Sequence, residues 1–134
     1  DLDLGYRTSK LQSTRYILLS AAFSLQSGNK EVISSAMDDL MNRRMTTQPL
    51  DKPSCGSTFK RPAGNFAGKL ISDCGLKGMS VGGAQVSEKH AGFIINSGGA
   101  TSRDILDLVQ LVKKTVFEKT GVLLEEEIRI IGRE

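Results

Sequence analysis

Apolar and polar residues follow two different periods along this chain, and each period predicts a different kind of element. The stretch "RYILLSAAFSLQSG", Arg15 to Gly28, begins as a continuous apolar run and then alternates, which is typical of a strand leaving a buried sheet. Apolar residues recur at helical spacing after Asn29, which can cap a helix, and Gln48-Pro49 is expected to stop it. The apolar positions of this helix are Val32, Ile33, Ala36, Met37, Leu40 and Met41.

The middle of the chain is rich in proline, glycine and serine. "LDKPSCGSTFKRPAGN" predicts a loop with at most a short strand at Thr58 to Lys60. "FAGKLISDCG" predicts a short helix closed by Gly75. Glycines then alternate with short apolar pieces, and strands are expected near Met79 to Val81, Gln85 to Val86 and Phe93 to Asn96.

The last third begins with the clearest helix of the sequence. Thr101 and Asp104 resemble a capping box, and Gly121 is expected to close the helix. Its inner stripe consists of Ile105, Leu108, Val109, Val112 and Val116. "EIRIIG" predicts a final strand in which Glu127 and Arg129 share one face. The element order therefore predicts an α+β fold, a small mixed sheet packed with helices and preceded by a strand segment.

Composition narrows the class of protein. The 134 residues suit one domain, and 39% hydrophobic with 25% charged residues is ordinary for a soluble globular chain. The net charge is only +3 and aromatic residues make up 5%, so nucleic acid is an unexpected partner. No apolar run spans a bilayer, and the single histidine rules out a multi-histidine metal site within the chain. Cys55 and Cys74 match no metal motif, so a reducing cytoplasm is the expected location.

Three short stretches carry polar residues that have no obvious structural role. They are "GYR" at Gly5 to Arg7, "GSTFK" at Gly56 to Lys60, and "EEEIRIIG" from Glu125. Ser57 suits a plain turn that bonds its own backbone. It does not lie in the Gly-x-Ser-x-Gly elbow of hydrolases, so a serine–histidine hydrolase has little support. A serine hydroxyl can instead donate a proton to a carbanion without any histidine.

The other candidates also admit ordinary roles. Three glutamates in a row are commonly a solvated face, and Arg7 alone suits a surface position. An arginine nevertheless offers a fork that matches a carboxylate. Gly82 and Gly83 could let backbone approach a phosphate, but they match neither a dinucleotide-binding glycine motif nor a P-loop.

Five motifs together resemble one family: "GYRTS", "QPLDKPSCGSTFKRP", "FAGKLISDCGLKG", "GGAQVSEKHAGFIIN" and "EIRIIG", in this order. They are similar to the C-terminal half of the UDP-N-acetylenolpyruvoylglucosamine reductase (MurB) family, flavoenzymes of bacterial peptidoglycan synthesis. The ordered set is far more specific than any one motif. The short link before "QPL" resembles the family type that lacks an inserted tyrosine-bearing loop.

The resemblance implies a reaction and three catalytic residues. NADPH reduces a bound FAD, which passes a hydride to the enolpyruvyl group of UDP-N-acetylglucosamine enolpyruvate, and a proton completes UDP-N-acetylmuramate. Ser57 aligns with the family's proton donor, Arg7 with its catalytic arginine and Glu127 with its catalytic glutamate. Arg7 and a protonated Glu127 would stabilise charge on the substrate carboxylate.

The resemblance also implies substrate contacts, which are Lys60, Arg61, Lys77 and His90, although a structural role suits His90 equally. Arg129 is expected to contact the cofactor. The family's flavin-binding region precedes "GYR", so residues 1–28 are expected to be the last strand segment of the FAD domain and residues 29–134 the substrate-binding domain. Alone, the chain is expected to be inactive, with residues 1–28 prone to self-association. The alternative is a non-catalytic module that binds an anionic nucleotide sugar.

Overall fold

The computed structural model describes residues 2–132 and divides the chain into two compact units, one up to Ser35 and the other from Ala36. In the first unit, Gly5 and Thr8 exchange backbone hydrogen bonds of 3.0 and 3.3 Å, and a 3-10 helix covers Lys10–Ser13. Among the described residues, no helix combines the length and apolar character needed to cross a membrane.

The strand expected from Arg15 to Gly28 is not formed, so that prediction is wrong for this structure. Residues 15–29 contain neither helix nor strand. A strand is stabilised by its neighbours, and no strand of the described chain pairs with this segment. Its large apolar side chains are exposed: Tyr16, Ile17, Leu18, Leu19, Phe23 and Leu25.

The helix predicted after Asn29 is confirmed as α1, Lys30–Thr47. The Asn29 side chain caps it, because its Oδ1 accepts a hydrogen bond of 3.0 Å from the Val32 N–H. The helix ends directly before Gln48-Pro49, as expected. None of its residues is buried, so its predicted apolar stripe has no cover in the described structure.

The sheet contains four strands: β1 (Ser54–Ser57), β2 (Ser80–Val81), β3 (Ala84–Val86) and β4 (Phe93–Asn96). Their order is β1-β4-β3-β2, and every neighbouring pair is antiparallel. The α+β class is confirmed, but a mixed sheet was the wrong expectation. Short turns join β2 to β3 and β3 to β4, and such turns can connect only antiparallel strands.

Two helices pack with this sheet, α2 (Ala67–Asp73) and α3 (Ser102–Thr120). The capping box of α3 is confirmed, with Thr101 Oγ1 accepting from the Asp104 N–H at 3.1 Å and Asp104 Oδ2 accepting from the Thr101 N–H at 2.9 Å. Gly121 closes α3 in the left-handed conformation, with φ 71°. The core contains the predicted stripe of α3 and the inner residues of the sheet: Leu108, Val109, Val112, Val116, Ala84, Val86 and Ile94.

Two further strand predictions are wrong in detail. The short strand of the Pro-Gly-Ser loop lies at β1 rather than at Thr58 to Lys60. "EIRIIG" forms no strand over the described residues up to 132, and its neighbourhood has only an isolated bridge between Phe59 and Glu126. Gly56, with φ 82°, forms a bulge within β1, and the strand ends at Ser57, which pairs with Phe93.

Candidate active site

Ser57 is presented to solvent by a bulge at the end of β1. Ser54 lies opposite Ile95 and Ser57 opposite Phe93, so β1 holds one residue more than β4 between these pairs. Gly56 takes the positive φ that the bulge requires, which a residue with a Cβ would adopt only with strain. Ser57 is therefore exposed, whereas Thr58 directly after it is 3% exposed.

Thr58 fixes this end of β1 in the core. Its N–H donates to the Gly92 carbonyl at 2.8 Å, and its Oγ1 accepts from the Ile94 N–H at 3.2 Å. Both bonds are therefore made at the start of β4, to Gly92 directly before it and to Ile94 within it. The backbone on the C-terminal side of Ser57 is thus held by buried hydrogen bonds, which gives Ser57 a defined position.

The segment Glu125–Glu127 docks beside the residues that follow Ser57. The Lys60 N–H donates to the Glu125 carbonyl, and the Glu127 N–H donates to the Thr58 carbonyl, both at 2.8 Å. Phe59 and Glu126 form the bridge between these two bonds. Ser57 and Glu127 are far apart in sequence, yet Glu127 bonds the residue next to Ser57.

Two ion pairs involve the residues directly before Glu127, which are Glu125 and Glu126. Lys113 Nζ on α3 lies 2.7 Å from Glu126 Oε1, and both side chains are largely buried. The hydrogen bond from Lys113 holds the pKa of the Glu126 carboxyl below its usual value, against the opposing effect of burial. Lys60 Nζ lies 3.1 Å from Glu125 Oε2 in an exposed pair.

His90 lies in the turn between β3 and β4, beside the same end of β1. Its ring meets Phe93, the cross-strand partner of Ser57, edge to face at a centroid distance of 4.9 Å. Its Nδ1 accepts a hydrogen bond of 3.1 Å from the Gly92 N–H. Nδ1 therefore acts as an acceptor within the turn, which leaves Nε2 for an external contact.

The expected cations do not form one cluster. Lys60 follows β1 and is engaged with Glu125, while Arg61 stacks on the ring of Phe66 at 4.0 Å from its centroid. Lys77 precedes β2, which lies at the opposite edge of the sheet from β1. The sheet order therefore separates Lys77 from Lys60.

Arg7 belongs to the first unit and Arg129 to the second. Arg7 adopts a positive φ of 57° in the turn between Gly5 and Thr8, and its guanidinium lies 5.7 Å from the Tyr6 ring centroid. Arg129 is exposed, two residues beyond Glu127.

Comparison with known proteins places this domain in a family. The model of the family described as "UDP-N-acetylenolpyruvoylglucosamine reductase, C-terminal domain" matches residues 48–131, which include Ser57, Glu127 and the whole sheet. The chain belongs to the MurB C-terminal domain family. Its fold class and the resemblance of its motifs are thereby confirmed.

Curated relatives are similar over the full length of the chain. The chain is 57% identical over 134 residues to the UDP-N-acetylenolpyruvoylglucosamine reductase of Clostridium novyi (strain NT), and 55% identical over 134 residues to that of Exiguobacterium sibiricum. In each case all of this chain aligns with 44% of the relative. The chain thus spans less than half the length of these relatives.

A solved structure of the family is also similar. The crystal structure of the reductase (MurB) from Thermus caldophilus matches with a TM-score of 0.74 and 36% identity. The match covers 96% of this chain and 45% of that one.

In this MurB-type domain, Gly82 and Gly83 pack closely against other residues of the same chain. A Cβ built on Gly83 would lie 2.5 Å from the Ala100 backbone nitrogen, and one built on Gly82 would lie 2.5 Å from Asp104 Oδ1. These glycines let the β2–β3 turn pack closely against the start of α3.

Sequence reasoning missed two features of the domain. The first is the pairing of Lys113 with Glu126, because the sequence suggests only a favourable helix-end charge for the lysine and a solvated face for the glutamate. The alternation of side chains in an extended segment gives part of the signal for this pairing, because it places Glu126 on the opposite face from Glu127. The other is an open cleft of about 540 Å³ in the second unit. Its lining contains none of the expected site residues and consists of Met45, Pro49, Leu50, Asp51, Lys52, Gln85, Ser87, Glu88, Lys89 and Ile95.

Proposed function

We propose that this chain supplies Ser57 and Glu127 to the active site of a reductase that converts UDP-N-acetylenolpyruvoylglucosamine to UDP-N-acetylmuramate. The supporting observation is the docking of Glu125–Glu127 against Thr58 to Lys60, which brings two motifs distant in sequence to one end of β1. Membership of the MurB family supports the proposal of this reaction.

The proposed reaction reduces one carbon–carbon double bond. A hydride adds to the terminal carbon of the enolpyruvyl group, the double bond opens, and its electrons move to the adjacent carbon and the carboxylate. A proton then adds to that adjacent carbon. NADPH is oxidised to NADP⁺, so one hydride and one proton are consumed for each product molecule.

In this proposal Ser57 donates the proton and Glu127 stabilises the carboxylate. A serine hydroxyl is a weak acid, so it can contribute to the rate mainly by being held close to the carbanion. The bulge at Gly56 and the buried bonds of Thr58 provide such a fixed position. A protonated Glu127 would donate a hydrogen bond to the substrate carboxylate, and Arg7 would form an ion pair with it.

The hydride source in this proposal is FAD reduced by NADPH. Gly82 and Gly83 pack closely against the chain itself, so we do not propose them as a pyrophosphate site. We assign FAD to the part of the longer reductase that this chain does not cover. Arg129 remains the proposed contribution of this chain to the cofactor's surroundings.

We further propose that substrate contacts come from His90 and Lys60, with Arg61 and Lys77 in lesser roles. His90 Nε2 is available beside Phe93, and Lys60 would exchange its exposed partner Glu125 for a phosphate. The separation of Lys77 from Lys60 argues against a purely anion-binding module, because such a module needs its cations together. A cytoplasmic location suits Cys55 and Cys74, which are both unpaired.

The test uses the full-length reductase to which we propose this chain belongs, with purified UDP-N-acetylenolpyruvoylglucosamine and NADPH. We expect loss of NADPH absorbance and a product that is heavier by two hydrogens, and we expect no turnover by residues 1–134 alone. Binding of the substrate by the full-length protein without any NADPH oxidation would favour the binding module instead.

A further inference from the structure

Main-chain hydrogen bonds hold the backbone that carries Glu127 against the residues after β1. Its hydrogen bonds to Thr58 and Lys60 fix the segment against the residues after β1. Beyond Glu127 the pairing stops, since Ile128 to Gly132 form no strand. The position of Glu127 therefore depends in part on how firmly residues 125–127 are anchored.

The Lys113–Glu126 pair provides an anchor from the core side. The 2.7 Å contact joins α3 to the residue directly before Glu127, and the two side chains are 22% and 26% exposed. Lys113 follows Val112, which is fully buried, so the ammonium group projects from a helix that is fixed in the core. A short, partly buried bond between charged groups restricts a side chain more than an exposed pair does.

Other ion pairs near this segment are weaker anchors. Lys60–Glu125 is exposed on both sides, with 41% and 69% of the side chains accessible. Lys114–Glu118 is an exposed pair that joins two residues of α3 itself at 3.9 Å. Lys113–Glu126 thus ties the Glu127 segment to a helix of the core.

We propose that Lys113 is a positioning residue for Glu127, acting through Glu126. The ion pair fixes the position of the Glu127 backbone, and the Glu127 side chain in turn donates a hydrogen bond to the substrate carboxylate. The inference rests on the proposed catalytic role of Glu127. The proposal gives α3 a role in the reaction in addition to the contribution of its inner stripe to the hydrophobic core.

The test compares three variants in the full-length reductase: Lys113→Met, Lys113→Arg and, as a matched control on the same helix, Lys114→Met. We expect Lys113→Met to lower kcat about 10- to 100-fold with little change in KM. A misplaced Glu127 weakens the stabilisation of the charge that develops during the reaction more than it weakens substrate binding. Lys113→Arg keeps the ion pair and should retain most of the turnover, and Lys114→Met should match the parent.

A second measurement separates positioning from general stability. The exchange rate of the Glu127 amide hydrogen should rise in Lys113→Met and stay unchanged in Lys114→Met, because the bond to Thr58 opens more often. The reversed pair, Lys113→Glu with Glu126→Lys, should recover part of the turnover that either single change loses. Full kcat in a folded Lys113→Met protein, or no recovery in the reversed pair, would overturn the proposal.

The proposed function itself is checked in the same series with Glu127→Ala. If Glu127→Ala turns over like the parent, the catalytic role of Glu127 fails, whatever Lys113 does. If Glu127→Ala is impaired and Lys113→Met is not, only the positioning role fails.

Discussion

A serine hydroxyl is a weak acid, so at the scale of single residues the question is what holds Ser57 in place. Three neighbours answer it: Gly56 turns the chain with its positive φ, Thr58 anchors it to β4, and Phe59 is buried in the core. Gly56, Thr58 and Phe59 therefore each have a separate structural role. Among the hydrogen bonds of the described residues, Thr58 uses its hydroxyl to accept from the Ile94 N–H, whereas none involves the hydroxyl of Ser57.

Glu127 gives a prediction at the same scale. If Glu127 acts as a protonated donor, Glu127→Gln should retain much more kcat than Glu127→Ala, because an amide N–H can also donate to a carboxylate. Steady-state kinetics of the two variants in the full-length reductase measure this difference. Equal loss in both variants would mean that the residue works through its charge or as a proton shuttle.

At the scale of elements, the sequence was most informative where local signals were sufficient. α2, α3 and the strands near Ser80, Ala84 and Phe93 follow from caps, glycines and periodicity. The segment from Arg15 to Gly28 was misjudged because strand formation depends on partners that sequence does not display. The position of β1 was misjudged because a single bulge at Gly56 decides which residues face β4. The approach of Glu127 to Thr58 is a long-range contact, and only the family resemblance anticipated it.

The capping box of α3 yields a stability prediction. Thr101→Ala removes the acceptor for the Asp104 N–H and should lower the free energy of unfolding by about 1 kcal/mol. Thr115→Ala, in the middle of the same helix, should change it much less. Denaturant unfolding of both variants measures the difference, and equal losses would contradict the role of the cap.

The Lys113–Glu126 pair gives a pH dependence. The folded-state pKa of Glu126 is lowered from 4.5, so the pair contributes stability above that pH, which is lost as pH falls through the folded-state pKa. Glu126→Gln should therefore be less stable than the parent at pH 7, and the difference should shrink as the pH falls below about 4.5. Thermal unfolding across this range tests it; a difference that grows with acidity would contradict the sign.

At the scale of the whole molecule, the two units differ in how much apolar surface they bury. The second unit has a continuous core, whereas residues 15–29 expose nearly all their large apolar side chains. Such a surface favours association, so we predict that residues 1–134 alone form dimers or larger species and that deleting residues 1–28 reduces them. Light scattering of both proteins measures this, and a monomer at all concentrations before deletion would contradict it.

Ser57→Ala in the full-length reductase is the most direct test of the central claim that this chain provides the proton donor of the reduction. The reduction of flavin by NADPH should proceed at the parent rate, while the reoxidation of the reduced flavin by UDP-N-acetylenolpyruvoylglucosamine should slow about 100- to 1,000-fold. Stopped-flow absorbance measures the two steps separately. Equal slowing of both steps, or reoxidation at the parent rate, would contradict the account.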